Sequence, residues 1–150
     1  MKTYRVNNVI LIMIIVLGVS LFPRDTFGQC STDDFLDKCA SQLGTYNYIK
    51  SFTVDVRSAK KNNQQYSYVF SNGSTYMLIA CDENVVGGKM IMSLYDREHN
   101  LISCTYDEKN DRYYSNLVYP CLATGVYYIK VTFNKAKKGC GLCIIGFNKE

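Results

Sequence analysis

The chain has 150 residues, of which 17 are basic and 13 acidic, and a formal net charge of +4. This length suggests a single domain, and the weak basicity gives no support to a nucleic-acid-binding or membrane-surface protein. With one histidine, the sequence shows no assembled set of nucleophile, general base and orienting acid. Composition therefore favours a small non-enzymatic module over an enzyme.

Residues 1–28 have the pattern of a secretory signal peptide. Lys2 and Arg5 precede an apolar run over residues 9–22, and a small residue ends the segment. The run is short for a membrane span, although an uncleaved anchor is the alternative. We expect residues 29–150 to be one mature domain that is secreted, periplasmic or held at the cell surface.

All seven cysteines lie beyond this signal, which predicts disulfide bonds in an exported protein. The odd number leaves at least one cysteine free or bonded to another chain, so a structural subunit linked by a disulfide between chains is one alternative function. The preferred pair is Cys81 with Cys121, because each ends an aromatic-rich strand just before a loop. A helix would hold Cys30 and Cys39 about 13 Å apart, too far for a bond, so we expect each to reach the rest of the domain.

One short helix is predicted over Ser31–Leu43. Phe35, Cys39 and Leu43 recur every four residues and give the helix one apolar face. Gly44 is a natural stop. We expect this helix to close one end of the domain.

After the helix, apolar residues alternate with polar ones at the period of two that is typical of half-buried strands. Asn72-Gly73 predicts a hairpin turn between two of these strands. Pro120 is expected to end a strand or to mark an edge. The fold class predicted is all-β, an antiparallel β-sandwich of jelly-roll type with about eight strands and one short N-terminal helix. The strands are predicted at Phe52–Arg57, Tyr66–Phe70, Ser74–Cys81, Met90–Tyr95, Leu101–Tyr106, Tyr113–Tyr119, Gly125–Phe133 and Gly141–Phe147.

Three of these segments resemble the bacterial pre-peptidase C-terminal domain. They are a glycine-and-aromatic strand entry at Gly73–Tyr76, a strand-turn-strand centre at Met90–Leu101, and a Gly-Val-Tyr-Tyr-Ile strand at Gly125–Ile129. The cysteines and the N-terminal helix depart from that family and look more like a secreted bacterial subgroup. The resemblance implies a jelly roll with an accessory role beside other secreted or surface proteins, and it implies no reaction.

Two cysteine arrangements represent the alternative of a small hydrolase or redox enzyme. His99 and Cys104 lie near one predicted turn, which makes a thiol–imidazole pair conceivable. Cys140 and Cys143 form a C-x-x-C motif, but on a strand their side chains should face opposite sides. We therefore expect Cys140 and Cys143 not to bond to each other.

No cofactor is expected, and calcium is the one metal considered. Oxygen-rich segments occur at residues 82–84 and 107–111, and calcium requires six to eight oxygen ligands. Lys109 and Arg112 lie within or beside the second segment, so a self-neutralising turn is the preferred interpretation.

Binding of a glycan, a peptide or another secreted or surface protein is the favoured function. Tyrosine offers flat apolar area with a polar tip, which suits sugars and interfaces. Tyr128 and Lys130 fall on the polar face of the clearest strand, and Tyr114 is a third candidate. Their alternative role is to be ordinary exposed residues of an antiparallel sheet.

Overall fold

The computed structural model describes residues 33–56, 64–136 and 138–149. The predicted signal peptide, Cys30 and most of the loop before β2 lie outside these residues. Within the described ranges, no helix combines the length and the apolar character needed to cross a membrane.

The domain is a sandwich of two four-stranded antiparallel sheets with a short helix on one outer face. Helix α1 spans Asp33–Ala40 and continues as a 3-10 turn over Ser41–Leu43. The strands are β1 (Asn47–Asp55), β2 (Gln65–Phe70), β3 (Ser74–Val86), β4 (Lys89–Tyr95), β5 (Leu101–Cys104), β6 (Tyr106–Asp107), β7 (Arg112–Tyr113), β8 (Asn116–Cys121), β9 (Gly125–Asn134) and β10 (Lys138–Lys149).

The strand order confirms the predicted jelly roll. Sheet A has the order β1-β10-β3-β8 and sheet B the order β2-β9-β4-β5, so that the chain changes sheet between successive main strands except from β4 to β5. Strands β6 and β7 form a separate two-stranded hairpin beside the sandwich. Pro120 lies on β8, an edge strand of sheet A, as expected of a residue that lacks an N–H donor.

Inward-facing residues of both sheets fill the core. On β9, Tyr127, Ile129 and Val131 are buried, while Tyr128 and Lys130 on the opposite face are partly exposed. The alternation read from the sequence is therefore confirmed on this strand. An aromatic stack extends the core, with the Phe70 ring centroid 3.9 Å from that of Tyr76 and 4.9 Å from that of Tyr127.

Helix α1 covers the outer face of sheet A instead of closing an end of the sandwich. Cys39 and Leu43 form a second buried cluster with Ile79 on β3 and with Leu142 and Ile144 on β10. This contact explains why β10 is apolar on both faces, since one face meets the core and the other meets the helix. The predicted position of the helix, at one end of the domain, was therefore wrong.

The Asn72-Gly73 turn does not form the predicted hairpin. Gly73 adopts a positive φ of 74°, as the turn signal implied. However, β2 pairs with β9 in sheet B, and β3 pairs with β8 and β10 in sheet A. The turn therefore carries the chain from one sheet to the other, because turn residues specify a reversal but not the strand with which each arm pairs.

The predicted Cys81–Cys121 disulfide was also wrong. Cys81 bonds to Cys39 of the helix, with a Cα–Cα distance of 6.2 Å. Cys121 pairs in register with Ser74 at the start of β3, and Cys81 lies seven residues further along that strand, about 23 Å away at 3.3 Å per residue. In addition, Cys121 faces the core whereas Cys81 faces the helix. The expectation that Cys39 would reach the sandwich is confirmed.

Candidate functional site

The outer face of sheet B carries exposed apolar and aromatic side chains. Register places Tyr128 of β9 opposite Tyr95 of β4, and Tyr95 opposite Leu101 of β5. On the other side, Val126 of β9 lies opposite Val69 of β2. Val69, Val126 and Leu101 are 56%, 39% and 58% exposed, a cluster that the helix on sheet A does not reach. Together with His99, these residues form what we term the sheet B patch: Val69, Tyr95, His99, Leu101, Val126 and Tyr128.

The turn between β4 and β5 places His99 on this patch. The imidazole ring stacks on the Tyr128 ring at a centroid distance of 4.2 Å and an interplanar angle of 22°. His99 has a positive φ of 62°, and its amide donates to the carbonyl of Asp96. The Asp96 carboxylate accepts bonds from the Asn100 amide and side chain at 2.8 and 2.9 Å. These bonds fix the turn, and the Asn100 side-chain bond is the main cause that lowers the pKa of Asp96.

Lys130 lies beside the patch, two residues along β9 from Tyr128. It is opposite Gln65 of β2 and Ser93 of β4 and is partly buried. Two strand residues span about 7 Å, so one ligand of modest size could contact both Lys130 and Tyr128. The structure therefore brings two of the three candidate binding residues onto one face.

Tyr114 belongs to a different part of the surface. It lies between β7 and β8, and the guanidinium carbon of Arg112 is 5.2 Å from its ring centroid. The Tyr114 amide donates to the carbonyl of Thr105, whose own amide donates to Met92 in the middle of β4. Tyr128 instead pairs with the end of β4, about 10 Å further along the strand. Tyr114 is exposed, but it is not part of the sheet B patch.

A cleft opens at the end of the sandwich next to the patch. It has a volume of about 410 Å³ and shares Val126 with the patch. Sequence reasoning missed this cleft, because its walls come from segments that are distant in the chain. Its lining comprises Asp96, Arg97, Glu98, Ile102, Tyr119, Ala123, Thr124, Gly125, Val126 and Tyr127.

A hydrogen-bonded pair of tyrosines lines this cleft. The Tyr127 hydroxyl donates to the carbonyl oxygen of Ala123 at 2.8 Å and lies 3.2 Å from the Tyr119 hydroxyl. Burial, followed by the bond to Tyr119, raises the pKa of Tyr127. Tyr127 therefore remains a neutral hydrogen-bonding group at physiological pH.

Two free thiols among the described residues, those of Cys104 and Cys143, lie in surroundings typical of structural rather than catalytic cysteines. Cys104 accepts hydrogen bonds from the Ser93 hydroxyl at 3.3 Å and the Tyr106 amide at 3.4 Å, whereas His99 stacks on Tyr128. Neither contact joins Cys104 to His99 as a catalytic pair would require. Cys143 is fully buried, and burial raises the pKa of its thiol to about 12.

The C-x-x-C motif is not a local disulfide. Cys140 is disulfide-bonded, while Cys143 is free and lies in the core, 3.1 Å from the Met92 sulfur. The expectation that the two would not bond to each other is confirmed.

Two carboxylates of the oxygen-rich turn at 107–111, those of Asp107 and Asp111, are hydrogen-bonded within or beside the turn. The Asp107 carboxylate accepts bonds from the backbone amides of Lys109 and Asn110 and from the Asn110 side chain, and Asp111 accepts a bond from the Tyr106 hydroxyl. In the other segment, the side chains at 83 and 84 lie outside those described. No group of three metal-ligating side chains occurs in the described part of the chain. Calcium binding stays untested.

No protein-family model and no curated protein matches this chain. Among solved structures, the chain is similar to PliG of Aeromonas hydrophila, a periplasmic lysozyme inhibitor of g-type lysozyme. The match covers 69% of this chain and 89% of PliG, with 10% sequence identity and a TM-score of 0.47. The function of this chain must accordingly be argued from its own residues, and the resemblance to the pre-peptidase C-terminal domain stays a prediction.

Proposed function

We propose that this protein is an exported, non-enzymatic binding module that recognises a polypeptide partner through the sheet B patch. The observation that carries the proposal is the contiguous set of partly exposed aromatic and aliphatic side chains on one sheet face, beside the polar residue Lys130. Protein interfaces typically combine such an apolar centre with a polar rim. The N-terminal signal pattern and the Cys39–Cys81 disulfide support export to an oxidising compartment.

A polypeptide fits this patch better than a glycan. A sugar would need an open aromatic face for stacking, but the His99 ring already covers one face of Tyr128. The exposed neighbours of Tyr128 on the patch are aliphatic, namely Val69, Val126 and Leu101. Aliphatic surface is matched by the apolar side chains of a protein partner and offers no hydrogen bonds to sugar hydroxyls.

The test compares two valines that are similarly exposed but lie on opposite sheets. Val126 is 39% exposed on the patch, and Val118 is 48% exposed on β8 of sheet A. The wild-type protein is used to capture partners from extracellular and envelope fractions. Each partner identified is then titrated against both lysine variants.

We expect Val126→Lys to weaken binding roughly tenfold or more, because a charge is then placed at the apolar centre of the interface. Val118→Lys should bind as the wild type does. Equal affinity for all three proteins would reject the patch as the binding surface. A glycan array probed with the same proteins distinguishes a carbohydrate ligand, whose binding would replace the polypeptide proposal.

A further inference from the structure

In the cleft beside the sheet B patch, one hydroxyl oxygen can accept a hydrogen bond from a ligand, whereas the hydrogen of the same hydroxyl is already used within the protein. Tyr127 has one hydroxyl hydrogen, and it is directed at the Ala123 carbonyl oxygen 2.8 Å away. With the Tyr127 hydrogen on the shorter of its two contacts, Tyr119 is the donor and Tyr127 the acceptor in the 3.2 Å contact between the two hydroxyls. The Tyr119 hydroxyl hydrogen is thus used within the protein, which leaves the Tyr119 oxygen to accept a bond from a ligand.

The charges around the cleft favour a positively charged ligand, whose N–H groups would also donate hydrogen bonds. Arg97 is paired with Glu98, with 2.5 Å between its Nε and a carboxylate oxygen, so these two charges neutralise each other. Asp96 contributes one further negative charge to the lining. The local balance of −1 attracts a cation and repels an anion.

Apolar surface in the cleft suits an aliphatic stem. Ile102 and Val126 line it together with the rings of Tyr119 and Tyr127. Lysine and arginine side chains combine an aliphatic stem with a cationic head that carries only donors. A volume of about 410 Å³ accommodates one such side chain with adjoining backbone.

We infer that this cleft binds a lysine or arginine side chain of the polypeptide partner, with its cationic head on the Tyr119 hydroxyl oxygen and its stem against Ile102 and Val126. This inference rests on the proposed function and adds to it the chemistry of one anchoring residue. Because Val126 belongs to both the cleft and the patch, one partner segment can occupy both.

The experiment uses small probes and needs no identified partner. The purified ¹⁵N-labelled protein is titrated with N-acetyl-L-arginine amide, with its neutral isostere N-acetyl-L-citrulline amide, and with free L-arginine. We expect the blocked arginine to shift the amide resonances of Glu98, Thr124 and Val126. The blocked citrulline should bind roughly tenfold more weakly, because it lacks the charge.

Two variants locate the contact within the cleft. Tyr119→Phe keeps the ring but removes the acceptor, so the affinity for the arginine probe should fall roughly tenfold. Asp96→Asn removes the negative charge and should also weaken binding. Tyr48→Phe serves as the matched control, because the Tyr48 hydroxyl bonds to Ser51 on β1, and this variant should bind the probe normally.

The outcomes separate this inference from the proposed function. Equal binding of citrulline, unchanged affinity in Tyr119→Phe, or shifts confined to residues outside the cleft would each overturn the basic-side-chain assignment. Tighter binding of free arginine than of the blocked amide would indicate a small-molecule site instead. Failure of the Val126→Lys comparison, with a normal probe response, would reject the patch and would leave the cleft as a cation-binding site.

Discussion

The imidazole ring of His99 lies 4.2 Å from the phenol ring of Tyr128, so a turn residue is fastened onto the outer face of sheet B. The stack joins the β4–β5 turn to β9, the strand that pairs with both β2 and β4. It therefore orders two elements that both border the cleft and the patch. Its loss should alter stability and binding together.

His99→Asn tests this stack. Asparagine tolerates the positive φ of 62° at this position but lacks the aromatic ring. We expect the free energy of unfolding to fall by about 0.5–1.5 kcal/mol, the usual value of an aromatic pair. Urea denaturation measures this change. Full stability in His99→Asn would show that the stack contributes nothing.

The Cys39–Cys81 disulfide ties the helix to sheet A across a sequence separation of 42 residues. In the chain-entropy treatment, closing a loop of this length stabilises the folded state by about 4 kcal/mol. The double variant Cys39→Ala/Cys81→Ala should lose stability of that order in denaturant titrations. Cys104→Ser, at a free and partly exposed thiol, should change it by less than about 1 kcal/mol. A loss of less than about 1 kcal/mol in the double variant would show that the cross-link contributes little.

Alkaline pH should destabilise the protein through Cys143. Burial raises the pKa of this thiol from its ordinary value of 9.0 to about 12. Above pH 9 the unfolded chain releases this proton while the folded chain retains it. Stability therefore falls as pH rises from 9 towards 12, at about 1.4 kcal/mol per pH unit for this group.

Denaturation curves at pH 8, 9, 10 and 10.5 measure this dependence. Cys143→Ala should lower stability at every pH but should show a shallower decline above pH 9. Identical pH dependence in Cys143→Ala and in the wild type would contradict the assignment to Cys143.

Gly146 lets helix α1 and its 3-10 extension lie close to β10. A Cβ atom at this position would be 2.4 Å from Leu43 Cδ2 and 3.2 Å from the backbone oxygen of Asn47. We expect Gly146→Ala to lower the free energy of unfolding by about 1–3 kcal/mol through overpacking. Gly125→Ala is the control, since no atom lies within 4 Å of its added Cβ, and it should be neutral or slightly stabilising. Equal stability of the two variants would show that the helix can shift without cost.

Most of the strands could be predicted because alternation is a local property of the sequence. The inward side chains of β4 and β9 followed from the period of two, as did the outward direction of Tyr128. Which strand pairs with which was not predictable in the same way. Asn72-Gly73 specified a tight turn, but pairing of β3 with β10 depends on residues some 70 positions away. The disulfide error has the same origin, because Cys39 meets Cys81 only once α1 has packed on sheet A.

The candidate site was likewise predictable only where it depends on neighbours along a single strand. Tyr128 and Lys130 were identified from one strand, since neighbours on a strand face are two residues apart. His99 was not placed beside Tyr128, because that contact needs both the β4–β9 register and the left-handed conformation of a turn residue. The cleft was not predictable, because Tyr119 and Arg97 approach only when strands from both sheets end at one side of the sandwich.

The central position of β10 has a consequence for how the protein is made. This strand, Lys138–Lys149, pairs with β1 on one side and with β3 on the other. Residues 47–55 therefore cannot pair within sheet A until residues 138–149 have been synthesised. Such non-local pairing is slow to form, so sheet A closes only after synthesis of this region is complete.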